Sequence, residues 1–231
     1  MKRFLLLTSV LVAAAFAVPS TASARVVELG TPADEASLNC PGTAENRCVA
    51  AVRITGLQGR ATGGRKNPFY IRRDGRLVAF TVQLGDPTAE ETNFFDSNFG
   101  SPSTARISVL RKGRTRKTRL DYRLIRQSDE FTLNRYFGSR PTFVFDRPIP
   151  VKEGNWIGLT VPNWAPLLAI NLERGNWWRA SRPRGSCEPP ESLEQFAMED
   201  LREVNKFGCT YHGARLLYSV TYVPSNRVTN E

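Results

Sequence analysis

Short β-forming runs separated by turn residues constrain the fold of this chain more than any other feature of its sequence. The runs lie at 48–54, 69–73, 76–84, 105–110, 120–125, 131–136, 142–145, 156–161, 167–172, 177–180 and 214–223. Asp74-Gly75 predicts a hairpin between two of them, because a type I′ turn needs positive φ at both central residues. A second hairpin is expected where 105–110 and 120–125 flank a basic stretch. Such a series is typical of an antiparallel, jelly-roll-like β-sandwich.

One segment, 192–205, departs from this strand pattern. Its apolar residues recur at helical spacing on one face, and they are Leu193, Phe196, Ala197, Leu201 and Val204. Ser192 and Gln195 form a capping box, and Gly208 follows the segment. The predicted fold is therefore mostly β, with one amphipathic helix in the C-terminal region.

The N-terminal residues have the three parts of a secretory signal. Lys2 and Arg3 precede an apolar run of 15 residues at 4–18, and Ala22-Ser23-Ala24 provides the small residues that a signal peptidase needs. The run is shorter than the roughly 20 residues that cross a bilayer. We therefore expect cleavage of 1–24, one mature domain at 25–231, secretion into the extracellular space and no transmembrane anchor.

The cysteines form an even set in a chain expected to be exported, which indicates two disulfides. Three pairings of Cys40, Cys48, Cys187 and Cys209 are possible. We favour Cys40 with Cys48 and Cys187 with Cys209, because the members of each pair are near in sequence. A zinc site is the alternative, but the spacing lacks paired C-x2-C motifs and the chain has one histidine. We expect no metal and no cofactor.

Basic residues outnumber acidic ones, 32 against 22, which gives a formal net charge of +10. Loss of 1–24 removes two basic residues and no acidic one, and so leaves +8. Six basic residues crowd into 111–119, among them Arg114, Arg116 and Lys117. This density favours contact with an anionic polymer, whereas the alternative is a solvated hairpin tip that deters edge pairing. No aromatic residue interrupts the stretch, so we expect no specific nucleic-acid recognition.

All four tryptophans lie between 156 and 178. Aromatic faces stack on sugar rings while amides bind the hydroxyls, so Asn163, Trp164, Trp177 and Trp178 are candidate glycan-binding residues. Trp164 is the strongest candidate, because the prolines around it predict a loop in which an aromatic side chain is exposed. Trp177 and Trp178 are adjacent on a strand, so at most one of them faces solvent. Core packing is the alternative for all three tryptophans.

Two further patterns bear on chemistry. The stretch 85–100 holds Asp86, Glu90, Glu91 and Asp96 without EF-hand spacing, so an acidic loop is the default and a calcium site the alternative. The chain has neither a G-x-S-x-G nor an H-E-x-x-H motif. A glycosidase needs only two carboxylates, which 22 acidic residues always supply. A non-catalytic protein is favoured, and an enzyme is not excluded.

Three runs resemble segments of uncharacterised exported β-sandwich proteins of high-GC Gram-positive bacteria. They are RPIPVKEGNWIGLTVPNWAP within 143–166, FTVQLGDPT with NFFDSNFG at 80–100, and ARISVLR at 105–111. The part PIPVKEGNWIGL is also similar to strands of lectin-like, carbohydrate-binding jelly rolls. The resemblance implies a β-sandwich and assigns no activity or functional residue.

The leading hypothesis is a secreted, non-catalytic module that binds a glycan or an anionic polymer of the cell envelope or extracellular space. One alternative is a secreted polysaccharide hydrolase with two unidentified carboxylates. The other is a structural or protein-interaction domain whose positive charge keeps it soluble.

Overall fold

The computed structural model describes residues 25–30, 38–61, 66–187 and 194–225, and these are mostly β. The strands are β1 (Val27–Leu29), β2 (Ala51–Arg60), β3 (Gly75–Val82), β4 (Thr104–Lys112), β5 (Asp121–Gln127), β6 (Phe131–Thr132), β7 (Thr142–Val151), β8 (Asn155–Ala165), β9 (Leu168–Ala169), β10 (Trp177–Ala180), β11 (Val204–Lys206), β12 (Cys209–His212), β13 (Arg215–Leu216) and β14 (Tyr218–Pro224). Within the described ranges one α-helix, α1, spans Ala89–Phe99. The predicted signal segment 1–24 lies outside the described residues.

The strands form antiparallel sheets that curl into a half-barrel, which confirms the mostly β, antiparallel prediction. One sheet has four strands in the order β1-β14-β3-β7. The other has eight strands, with β11-β5-β4-β8-β2-β10-β12 in order and β6 beside β4. Strands β9 and β13 form a separate pair.

The main hydrophobic core takes side chains from both large sheets. Phe80 of β3 and Val220 of β14 share one buried cluster with Ile107 of β4 and Leu159 of β8. Side chains of neighbouring strand positions point to opposite faces. The eight-stranded sheet therefore has a second face, turned away from the shared core, and we call it the outer face.

The two predicted hairpins have different outcomes. Strands β4 and β5 pair as predicted, with Lys112 opposite Tyr122. The prediction of a hairpin at Asp74-Gly75 is wrong. Strand β3 pairs with β14 and β7, whereas residues 69–71 form hydrogen bonds with β8 of the other sheet. The Asp74 carboxylate accepts hydrogen bonds from Glu153 N and Lys152 Nζ instead of closing a local turn.

The predicted helix at 192–205 is also wrong wherever the structure describes it. Residues 194–203 contain no helix, and 204–206 are strand β11. Phe196 N donates to Arg53 O and Met198 N to Thr55 Oγ1, so strand β2 satisfies the amides that a helix would satisfy internally. Leu201, expected on the apolar face, is 60% exposed.

Both predicted disulfides are present, Cys40–Cys48 and Cys187–Cys209. The second one joins residue 187 to the start of β12, and Met198 and Phe207, which lie between the two cysteines in sequence, pack on the outer face. Helix α1 lies in the predicted acidic loop, where Thr88 and Glu91 make a reciprocal capping box.

Candidate functional site

The outer face of the eight-stranded sheet is partly covered and partly open. Met198 and Phe207 of the segment 194–208 bury Leu57, Leu110 and Leu124 in a small second core. Beyond this cover lies an open groove of about 340 Å³. Its described lining residues are Leu57, Gln58, Gly59, Lys66, Asn67, Lys112, Tyr122, Trp156, Trp177 and Arg179. We call it the cationic groove.

Two tryptophans and a tyrosine form the apolar surface of the cationic groove. Trp156 of β8 meets the edge of Tyr122 of β5, with ring centroids 6.0 Å apart. Trp177 of β10 lies against the backbone of Gly59 in β2, and any Cβ at that position would overlap the indole ring. Glycine at 59 is therefore required for the position of Trp177. Both indoles remain partly exposed.

Cations lie directly on these rings. Lys112 Nζ is 5.5 Å from the Trp156 ring centroid and 6.0 Å from that of Tyr122. Arg179 Cζ is 5.3 Å from the Trp177 centroid, and its Nε donates to Thr210 Oγ1 at 3.2 Å. Such cation–π contacts hold a positive charge beside an aromatic face. Two aromatic–cation pairs thus face the same groove, one from β4 and β8 and one from β10.

The charges in the cationic groove repel one another. Burial lowers the pKa of Lys112, and the nearby Arg179 and Arg119 guanidiniums lower it further. Burial raises the pKa of Tyr122 to about 12, an effect that Arg179 partly opposes. Of the described residues that line the groove, none carries a carboxylate. The arrangement is chemically suited to an anion, because a bound negative charge would relieve the repulsion.

The polar floor of the groove is built into the fold. Gln58 is buried, and its Nε2 donates to Arg60 O and Trp177 O while its Oε1 accepts from Leu216 N. Gln58 therefore positions β10 and β13 against β2 and has few groups left for a ligand. The ligand-facing groups are the rings and the cations.

The predicted aromatic residues have different positions. Trp177 lines the cationic groove, whereas Trp178 is buried and stacks on Tyr211 with centroids 4.5 Å apart. The expectation that at most one of the two faces solvent is confirmed. Alternation along β10 explains the difference.

The expectation that Trp164 is exposed is wrong. Its indole is 0% exposed, because residues 162–164 continue strand β8 and do not form a loop. The ring stacks on Phe95 of α1, and Nε1 donates to Asp96 Oδ1 at 2.8 Å. Asn163 lies beside it, away from the groove, and its Nδ2 donates to Pro102 O. Trp164 is therefore a core residue.

The basic hairpin tip is exposed and ordered by its own hydrogen bonds. Thr115 and Thr118 bond to each other through side chains and backbone. Arg114, Arg116 and Lys117 point into solvent around this turn. No carboxylate among the described residues pairs with them.

The acidic stretch at 85–100 serves the structure. Glu91 caps α1 and accepts a hydrogen bond from Gly42 N, and Asp96 binds the Trp164 indole. Among the described residues, no three metal-ligating His, Cys, Asp or Glu side chains cluster.

Sequence reasoning missed Lys112, Trp156 and Arg179 as members of one site. Lys112 and Trp177 are far apart along the chain, and the order β4-β8-β2-β10 brings them together. The local signals were the crowded cations beginning at Arg111 and the density of tryptophan. Neither signal indicates which ring meets which cation.

The fold and the site together define a disulfide-bonded, antiparallel β protein with a cationic, aromatic groove. No protein-family model, curated protein or solved structure matches the chain. None of the described helices is both long enough and apolar enough to cross a membrane.

Proposed function

We propose that this chain is a secreted, non-catalytic binding module and that its cationic groove binds an acidic glycan. One observation carries the proposal: Lys112 and Arg179, with Lys66 nearby, converge on two tryptophan rings in a groove whose described lining has no carboxylate. Buried or half-buried charges are normally paired. A cluster of cations with no carboxylate among the described lining residues therefore favours a ligand that supplies the negative charge.

The aromatic rings favour a sugar over a small inorganic anion. Trp156 and Trp177 offer ring faces of the kind that stack on the apolar face of a sugar, while Lys112 and Arg179 can bind its carboxylate or ester groups. A site that bound its ligand by charge alone would not need the two aromatic rings. The exposed Arg114, Arg116 and Lys117 add long-range attraction for a polyanion.

Other features support the remaining parts of the proposal. The three-part N-terminal pattern and the two disulfides support secretion. The main core, which is shared by both large sheets, supports a jelly-roll-like sandwich. A hydrolase would place two carboxylates about 5 to 9 Å apart at its substrate, and the described lining of the groove offers cations instead.

The proposal is tested by titrating the protein with polygalacturonate, a linear uronic-acid polymer, with neutral dextran and single-stranded oligothymidine as comparisons. Wild-type protein should bind polygalacturonate. Lys112→Gln should weaken this binding roughly 10- to 150-fold, because a charge-assisted hydrogen bond contributes about 1.5 to 3 kcal/mol. Lys112→Arg should largely retain binding. Arg147→Gln is the matched control, since it removes one exposed charge away from the groove.

The aromatic contribution is tested by Trp177→Ala and Trp177→Phe. By analogy with base stacking, loss of one ring face should cost about 1 to 3 kcal/mol of binding, and phenylalanine should restore part of it. Phe94→Ala, at an aromatic residue that is 57% exposed on α1, is the control. Equal binding by all groove and control variants would refute the proposed site. Tight binding to oligothymidine without binding to polygalacturonate would replace the glycan with a nucleic acid.

A further inference from the structure

A second concavity of about 240 Å³ adjoins the cationic groove. Its described lining includes Asn67, Pro68, Tyr70, Arg72, Arg73 and Tyr222, and it shares Asn67 with the cationic groove. We call it the second concavity. The two lie side by side around a single stretch of chain at 66–73.

The boundary between the two concavities is an aromatic pair, and backbone hydrogen bonds tie the adjoining stretch of chain to the sheet. Tyr70, which lines the second concavity, meets Trp156, which lines the groove, with centroids 5.3 Å apart in an edge-to-face contact. Asn67 has φ of +55°, and its N donates to Gly59 O at 2.8 Å. Ile71 N donates to Asn155 O at 2.9 Å, which ties the same stretch to β8. An aromatic pair therefore separates two sites of fixed relative position.

The second concavity repeats the chemistry of the first. Arg72 and Arg73 are exposed at its edge, and the half-buried Tyr70 adds aromatic surface, whereas Tyr222 is buried in its wall. Its described lining also contains no carboxylate. The adjacent Asp74 is engaged by Lys152 Nζ at 2.7 Å and by Glu153 N at 2.9 Å, and these hydrogen bonds hold the pKa of Asp74 below its ordinary value.

A third concavity, of about 550 Å³, has a different character. It contains Asp129 and Asp146 together with Arg126 and Arg147, so both signs of charge are present. The two adjoining concavities thus have in common several cations, an aromatic ring and a described lining without a carboxylate. The third concavity therefore provides arginines for control substitutions.

We infer that the cationic groove and the second concavity are consecutive subsites for one linear acidic polymer, which crosses the Tyr70–Trp156 boundary. The inference rests on the proposed function and specifies its ligand class: a chain with a charge on successive units, in place of a single acidic sugar. A polymer bridging both subsites gains from two attachments to one molecule, so its affinity rises with chain length.

The test compares monomeric, trimeric and hexameric galacturonate by isothermal titration calorimetry. Wild-type affinity should increase with each step in length. The double variant Arg72→Gln/Arg73→Gln should bind the hexamer about tenfold more weakly, because it loses both exposed cations at the edge of the second concavity. Its affinity for the monomer should be unchanged. The control Arg126→Gln/Arg147→Gln removes the same charge from the third concavity and should bind all three ligands like wild type.

The outcomes distinguish the inference from the function on which it rests. Equal wild-type affinity for monomer and hexamer overturns the second subsite and leaves the groove as a single-sugar site. Retained hexamer affinity in the Arg72/Arg73 variant, with loss only in Arg114→Ser/Arg116→Ser/Lys117→Ser, also overturns it, because the polymer then runs to the hairpin tip. No wild-type binding to any uronate overturns the proposed function itself. Unchanged thermal midpoints of the variants show that these effects are local.

Discussion

Trp164 joins helix α1 to the eight-stranded sheet, and its shortening to phenylalanine should destabilise the protein without affecting the groove. The indole is fully buried, stacks on Phe95 at 4.8 Å and donates to Asp96 Oδ1 at 2.8 Å. The lost ring volume should cost about 1 to 2 kcal/mol. The lost hydrogen bond to a carboxylate should cost about 1.5 to 3 kcal/mol more. For a domain of this size, the thermal midpoint should fall by about 5 to 20 °C.

A double-mutant cycle isolates the hydrogen bond within that cost. Unfolding is measured in denaturant for wild type, Trp164→Phe, Asp96→Ala and the double variant, and we expect a coupling free energy of about 1 to 2 kcal/mol. Asp96→Asn is the matched control: it keeps an acceptor oxygen and removes a negative charge from the last turn of α1, where the helix dipole disfavours it. A coupling near zero, or an unchanged midpoint in Trp164→Phe, would refute the assignment of Trp164 to the core.

Three further predictions concern stability. Lys112→Met should raise the thermal midpoint at neutral pH, because the folded-state pKa of Lys112 lies below its unfolded value. The difference in thermal midpoint between this variant and wild type should shrink as alkaline pH deprotonates Lys112 in the folded wild type. A difference that grows with pH would contradict this reasoning. Replacing Cys187 and Cys209 together by serine should lower the free energy of unfolding by about 2 to 4 kcal/mol in denaturant titrations, and an unchanged value would contradict a stabilising cross-link. Gly59→Ala should displace the Trp177 ring, seen as altered tryptophan fluorescence and weaker binding to polygalacturonate, whereas an unchanged spectrum would contradict their contact.

The sequence predicted those parts of the fold in which the interacting residues are near each other along the chain. The β4–β5 hairpin and both disulfides join residues that are near in sequence, and each was predicted from its own segment. The Asp74-Gly75 hairpin failed because the Asp74 carboxylate finds donors at Lys152 and Glu153, in the turn between β7 and β8. A turn signal indicates only the local conformational preference of a short segment. Here, hydrogen bonds from residues distant in sequence outweighed that preference.

The misplaced helix has the same physical origin. Capping boxes occur in the sequence both at Thr88 and at Ser192, so capping alone could not choose between them. In the described part of the second segment, Phe196 and Met198 bond to β2 through their backbone amides and bury their side chains against the sheet. In this segment, apolar residues at helical spacing pack against a neighbouring sheet in a non-helical conformation. Tertiary pairing outweighed the helical preference of the segment.

The positions of the cations distinguish the binding hypothesis from a positive surface that only maintains solubility. Charge that serves solubility is best spread out, because like charges repel when they converge. Here Lys112 is half-buried between two aromatic rings, near Arg179 and Arg119, and this environment lowers its pKa. That placement costs stability in the free protein, and a bound acidic group would offset the cost. Loss of this half-buried charge should therefore make Lys112→Met both more stable and a weaker binder of polygalacturonate. A variant that gained stability while binding normally would separate the charge cluster from function.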